Sequence, residues 1–176
     1  MFPPNTNMKK VLITSLIITV LVGIALQLSG GYLVTKEAPY GIVSFEFAGD
    51  LSNAQKIVDS WGVDGKIYAG LNLGLDYLFL VGYSLFLAFM CLLVTERLKT
   101  KWEQVRITGY IIVIGCVLAG ILDALENYAL INILVGNGSN VWAQLALWCA
   151  IPKFVLVGFG IIYISVGSLY LMIAKD

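Results

Sequence analysis

Hydrophobic residues occupy four long uninterrupted runs in this chain, and most polar residues lie between the runs. The runs cover about residues 11–34, 67–95, 107–135 and 141–173. Each is longer than the roughly 20 residues that a helix needs to cross the apolar core of a bilayer. They lack the alternation of apolar and polar positions that is typical of barrel strands, so the pattern predicts helices. We therefore expect an all-α membrane protein, a four-transmembrane-helix bundle that forms a single polytopic domain over residues 1–176.

The connection between the first two runs is long and polar, and part of it has the pattern of a helix. Apolar residues recur there at the spacing i, i+3, i+4 and i+7, at Ala54, Ile57, Val58 and Trp61. Ser52 and Gln55 have the spacing of a capping box, and Gly62 is a residue that commonly ends a helix. This pattern predicts a short amphipathic helix, with Trp61 suited to the membrane interface.

The residues before that helix alternate between apolar and polar side chains. The alternation places Val43, Phe45 and Phe47 on one side and Ser44 and Glu46 on the other. A strand fits this period, but Pro39 could equally open a helical turn, and so short a run does not decide between them. We expect the whole segment 35–66 to be either a lid over the external mouth of the bundle or an interfacial element that seats the protein among the lipid headgroups.

Basic residues are divided unequally between the two ends of the runs. One side carries seven of them, at Lys9, Lys10, Arg97, Lys99, Lys101, Arg106 and Lys175. The other side carries three, Lys36, Lys56 and Lys66, together with several acidic residues. Short loops rich in Lys and Arg stay in the cytoplasm. We therefore expect both termini to be cytoplasmic, the segment 35–66 to be external, and the protein to be a multi-pass protein of a bacterial inner (plasma) membrane.

The composition excludes several classes of function. Hydrophobic residues make up 59% of the chain and charged residues only 12%, whereas soluble domains carry about 25% charged residues. The runs leave no room for a soluble catalytic or nucleotide-binding domain, and a formal net charge of zero argues against a nucleic-acid partner. The chain has no histidine, which removes His-ligated metals and a His general base. We expect no metal and no cofactor.

The three cysteines lie one to a run, in the second, third and fourth runs. They are Cys91, Cys116 and Cys149. An odd number without local C-x-x-C spacing is poor evidence for disulfides or a metal site, so we expect small buried hydrophobic side chains.

Charged residues inside the hydrophobic runs are the most specific signal in the sequence. Asp76 lies in the second run, Asp123 and Glu126 in the third, and Lys153 in the fourth. A charge in a bilayer costs a few kcal/mol or more, so these residues should face the bundle interior and pair with one another. All four lie at a similar depth, and Asn127 shares the helix face of Asp123 and Glu126. We predict one ligand-binding site of these five residues, with Asp123 and Glu126 as the candidates for acid–base catalysis.

The charges of this predicted site do not balance. Lys153 can neutralise only one of the three carboxylates. Either one or two carboxyl groups are protonated, as burial and like-charge proximity favour, or a cation occupies the site. A protonatable buried carboxyl suits a proton carrier or a general acid. A neutral acid that only holds two helices together would give the same sequence.

These observations support three hypotheses for function and do not decide whether the protein is an enzyme. The first is binding of a lipid-like or amphipathic small molecule, with acid–base chemistry as an extension. The second is an oligomeric transporter coupled to protons or cations. The third is a membrane accessory or scaffold subunit without chemistry. The lipid bilayer is the expected partner, and the small-residue pairs Gly70–Gly74 and Gly115–Ala119 allow close helix contact within one chain or in a homo-oligomer.

Overall fold

The computed structural model of the chain describes residues 6–98 and 103–173. Within them the helices are α1 (Thr6–Gly30), α2 (Ile42–Glu46), α3 (Leu51–Ser60), α4 (Gly62–Leu98), α5 (Glu103–Leu134) and α6 (Asn140–Ile173). Four of these, α1, α4, α5 and α6, are long and apolar enough to cross a membrane, and the all-α prediction is confirmed. Lys99, Lys101 and Lys175, which contribute to the predicted orientation, lie outside the described residues.

The long helices pack in two ways. Helices α4, α5 and α6 pack against one another, whereas α1 packs along α4. Glycines permit the close crossings: a Cβ atom on Gly82 would lie 2.9 Å from Thr19 Oγ1 in α1, and one on Gly160 would lie 2.8 Å from Cys116 Sγ in α5. The three cysteines are free and buried, as predicted.

The two predicted small-residue pairs have different surroundings. A Cβ atom on Gly115 would lie 3.2 Å from a methyl group of Leu156, so Gly115 lies against α6 of the same chain. A Cβ atom on Gly74 would meet nothing within 4 Å. Gly115 therefore allows close contact between α5 and α6, whereas no atom of another described helix lies near the Cβ position of Gly74.

The connecting segment, residues 34–61, contains α2 where a strand was one of the two predicted alternatives. The strand is wrong: residues 42–46 form a short helix, which follows Gly41 with a φ of 59°. A strand would place Phe45 and Glu46 on opposite faces, but the structure buries both and exposes Phe47. Successive side chains of a helix are separated by about 100°, so neighbours can point into the same core.

Helix α3 begins differently from the sequence prediction. Asp50, and not Ser52, caps the helix: its carboxylate accepts a hydrogen bond of 2.8 Å from the backbone N–H of Asn53. The predicted apolar face is present and buried. Trp61 is buried as well, and its indole N–H donates to the Leu33 carbonyl at 2.8 Å, so its ring packs inside the protein.

The connecting segment closes one end of the α4–α5–α6 assembly. Phe45 of α2 packs edge-on against the Trp61 ring at 5.3 Å between centroids. Both belong to an apolar core that also contains Leu73 of α4, Leu130 of α5 and Ala146 of α6. Burial of apolar side chains from every one of these helices holds the segment in place.

Candidate functional site

A layer of charged side chains lies between two apolar cores. Along α4, Leu73 belongs to the core beneath the connecting segment and Leu80 to the second core. Asp76 lies between them, and the other helices place their charges at the same level. The charged side chains of the layer are Glu46, Asp76, Asp123, Glu126 and Lys153.

Lys153 is the centre of this layer. Its ammonium group donates hydrogen bonds to Glu126 Oε1 at 2.9 Å and to Asp123 Oδ1 at 3.0 Å. The three residues are almost fully enclosed, with exposed fractions of 6%, 0% and 3% for Lys153, Glu126 and Asp123. Because both acceptors lie on α5 and the donor on α6, these bonds between charged groups tie the two helices together.

The carboxylate of Asp123 also connects α5 to α4. Its second oxygen, Oδ2, accepts a hydrogen bond of 2.8 Å from the hydroxyl of Tyr83. The Asp123 carboxylate thus has two partners, Lys153 and Tyr83, on two different helices. Tyr83 shares the helix face of Asp76, which is why it reaches the same layer.

Asp76 and Asn127 form a second pair beside the Lys153 group. Asn127 Nδ2 donates to Asp76 Oδ2 at 2.6 Å. Asp76 is half-buried, and Asn127 is buried. The structure therefore places all five predicted site residues in one layer, divided into a Lys153–Asp123–Glu126 group and an Asp76–Asn127 pair.

Glu46 is the member of the layer that sequence reasoning missed, because the alternating pattern put it on the polar face of an external segment. Helix α2 carries its carboxyl into the protein, where Oε2 lies 3.6 Å from Lys153 Nζ. Its exposed fraction is 8%. Burial raises the pKa of the Glu46 carboxyl, and the Lys153 ammonium opposes that rise in part. The signal in the sequence was the pair Gly41 and Gly49, which bracket α2 and both take positive φ.

A cavity of about 610 Å³ lies between α1, α2 and α4, next to the layer. Its apolar wall includes Leu26, Leu73 and Phe79. Its polar lining consists of Gln27, Tyr40, Glu46, Asn72, Asp76 and Asn127. Asp123, Glu126 and Lys153 are not among the lining residues. The predicted binding residues are thus divided: Asp76 and Asn127 reach the cavity, and the Lys153 group lies behind it.

Glycines on the α1 side make room for this cavity. Gly23, Gly30 and Gly31 line it. A Cβ atom on Gly23 would lie 3.3 Å from the Phe79 ring, whereas one on Gly31 would meet nothing within 4 Å. Gly31 is an exposed lining residue, so a longer side chain can be placed at this edge of the cavity without displacing a neighbour.

The layer holds more acid than base. One ammonium group, Lys153, pairs with the carboxyl groups of Glu46, Asp123 and Glu126, and Asp76 adds a fourth carboxyl group beside them. Among the described residues, no group of three or more His, Cys, Asp or Glu side chains is arranged to hold a metal ion. Oε2 of Glu46 is enclosed and faces Lys153 Nζ at 3.6 Å without a hydrogen bond. Glu46 and Asp76 are the carboxyl groups of the layer that also line the cavity, so they are the acids that a bound molecule could meet.

Comparison of the chain with known proteins gives no match, whether with family models, with curated proteins or with solved structures. Function is therefore inferred from the charged layer and the cavity beside it.

Proposed function

We propose that this chain is an integral membrane protein that binds an amphipathic, lipid-like small molecule in the cavity between α1, α2 and α4. The observation that carries the proposal is the cavity itself. Its volume of about 610 Å³ falls within the roughly 300–1,000 Å³ of small-molecule sites. An apolar wall containing Leu73 and Phe79 faces convergent polar groups, Asp76 and Asn127 among them. This combination suits a molecule with an apolar body and a polar end.

The geometry supports binding more than catalysis. Asp123 and Glu126 were the candidates for acid–base chemistry, but both carboxylates bond to Lys153 behind the cavity. The acids that a bound molecule would meet are Glu46 and Asp76. In this proposal Lys153, Asp123 and Glu126 hold α5 and α6 in the positions that keep the cavity wall in place.

The orientation that we propose places the cavity in the external half of the membrane. Lys9, Lys10 and Arg97 lie at one end of the long helices, and short basic segments stay cytoplasmic. Both termini would then be cytoplasmic and α3 external. Impermeant maleimide should label Lys56→Cys in intact cells and label Lys10→Cys only after lysis, while the native cysteines stay unlabelled because they are buried. The reverse pattern would reject this orientation.

A cavity-filling substitution tests the binding function. We expect native mass spectrometry of the purified wild-type protein to show a bound amphiphile, and Gly31→Leu to lose it because the new side chain occupies the cavity. Gly158→Leu is the matched control: a Cβ atom there also meets nothing within 4 Å, but Gly158 lies on α6 away from the cavity. Equal occupancy in Gly31→Leu and wild type, or no bound amphiphile in any of the three proteins, would reject the proposal.

The excess of carboxyl groups favours one second candidate, transport coupled to protons or cations. Several carboxyl groups share a single ammonium group, and a coupling site needs an acid that can exchange its proton. Four helices are few for alternating access, so this function would require an oligomer. Transport in proteoliposomes that continues unchanged in Asp123→Asn and in Glu126→Gln would reject these residues as its coupling site.

A further inference from the structure

We propose that the polar end of the bound molecule is a cationic ammonium group, so that the cavity selects long-chain amines. This inference rests on the proposed function and adds the chemical class of the ligand. Two carboxyl groups, Glu46 and Asp76, line the cavity. No basic side chain of the described residues lines it. A cation is the headgroup that complements such a lining.

Two amide side chains that line the cavity, Asn72 and Asn127, are engaged by the protein. Asn72 Nδ2 donates to the Leu26 carbonyl at 3.0 Å and to Ser29 Oγ at 2.9 Å, which uses both of its N–H groups. Asn127 Nδ2 donates to Asp76. Gln27 and Tyr40 also line the cavity and can both donate and accept. The acceptors that carry charge are the carboxyl oxygens of Glu46 and Asp76, and an ammonium group has donors and no acceptor.

The position of the Glu46 carboxyl is a second argument for an ammonium ligand, independent of how many acids line the cavity. Its exposed fraction is 8% and it lines the cavity, while its enclosed Oε2 atom lies 3.6 Å from Lys153 Nζ without a hydrogen bond. Lys153 Nζ, at 3.6 Å, is too far for a hydrogen bond and donates to Asp123 and Glu126 instead. Lys153 is shared with two nearer carboxylates, and a ligand ammonium in the cavity can add a second cation and donate an N–H group to the accessible part of the Glu46 carboxyl.

Other headgroups fit this lining less well. A phosphate or carboxylate headgroup would bring a further negative charge against Glu46 and Asp76, which like-charge repulsion opposes. A hydroxyl could donate one hydrogen bond but would leave the excess negative charge uncompensated. An ammonium group both donates and neutralises, since it adds a second positive charge beside Lys153.

Three probes with the same alkyl chain separate these headgroups. Dodecylamine, dodecanol and dodecyl phosphate are added at equal membrane mole fraction to the full chain in phosphatidylcholine nanodiscs. The thermal midpoint is followed by tryptophan fluorescence, and a ligand that binds only the folded state raises it. We expect dodecylamine to raise the midpoint and the other two probes to bind at least tenfold more weakly. Asp76→Asn and Glu46→Gln should each weaken dodecylamine binding at least tenfold.

The control variant removes one negative charge without touching the cavity. Glu37→Gln changes an exposed residue of the same connecting segment and should bind dodecylamine as the wild type does. Equal shifts with all three probes would overturn the ammonium assignment and leave cavity binding standing. No shift with any probe would overturn both proposals. If Asp76→Asn does not fold, the comparison of the three probes on wild-type protein decides the question alone.

Discussion

Replacing Lys153 with methionine removes the one ammonium group of the buried layer while keeping a long unbranched side chain. The wild-type group donates to Glu126 and Asp123 at 2.9 and 3.0 Å, and all three residues are enclosed. The substitution leaves both carboxylates without their cation in a site that water does not reach. Their charge would then be uncompensated, and removing one partner of a buried ion pair costs more free energy than replacing both partners.

The size of the effect follows from the burial. Breaking a buried pair by removing one partner costs about 3–5 kcal/mol. An exposed pair is worth about 0–1 kcal/mol, and the chain offers one as a control. Lys66 lies 3.5 Å from Asp59, with 40% and 63% of the two side chains exposed. We therefore expect Lys153→Met to lower the free energy of unfolding by about 3 kcal/mol or more, and Lys66→Met to lower it by less than about 1 kcal/mol.

The assay is equilibrium unfolding in mixed micelles by titration with sodium dodecyl sulfate, followed by circular dichroism. A triple variant identifies the cause of the loss. Adding Asp123→Asn and Glu126→Gln to Lys153→Met removes the uncompensated carboxylates, so we expect at least half of the lost stability to return. The electrostatic reasoning is refuted if Lys153→Met and Lys66→Met lose equal stability, or if the triple variant is less stable than Lys153→Met alone.

Three further predictions test other parts of the structure. Burial raises the pKa of Glu46 above its ordinary value of 4.5 despite Lys153. The stability of wild type relative to Glu46→Gln should therefore be highest below pH 4.5 and fall as pH rises through the raised pKa, by at most about 1.4 kcal/mol per pH unit. Urea unfolding in micelles at a series of pH values measures this difference, and a rise of the difference with pH would contradict the prediction. Gly82→Ala should destabilise the protein by about 1–3 kcal/mol because its Cβ atom would crowd Thr19, whereas Gly74→Ala, with open space, should be neutral or slightly stabilising in the same titration. Asp50→Ala should cost about 1 kcal/mol through loss of the α3 cap and speed hydrogen exchange in α3, while Ser52→Ala should change neither; equal effects would reject Asp50 as the cap.

The long helices could be predicted because their signal is local. A run of apolar residues long enough to cross a bilayer leaves few alternatives to a helix. The start of α4 has a weaker local signal, because the apolar run begins near Ile67 whereas the helix begins at Gly62. Its first turns carry Asp64 and Lys66, which polarity alone assigns to a loop. Gly62 has a φ of 61°, which lets α4 follow α3 directly and extends the helix beyond its apolar part.

The site could be predicted only where its members lie on those long helices. Asp123, Glu126 and Asn127 share a helix face by spacing alone, and their cost in a membrane predicts a partner such as Lys153. Glu46 carries no such signal, because its partner is far away in sequence and its own segment is polar. Glu46 is buried together with Phe45, which packs edge-on against Trp61, and that long-range contact leaves no mark on the local pattern.

The periodicity of the sequence could not predict the cavity, because the cavity is space left where glycines carry no side chain. Gly23, Gly30 and Gly31 come together with Gly41 on one side of it, and each alone is an ordinary glycine. The charge imbalance, in contrast, was visible in the sequence as three carboxyl groups against Lys153. Glu46 increases that imbalance and at the same time reaches the cavity, so the excess negative charge and the free space lie at one place. A site with unused acceptors and room for an alkyl chain is best satisfied by a molecule that brings its own positive charge.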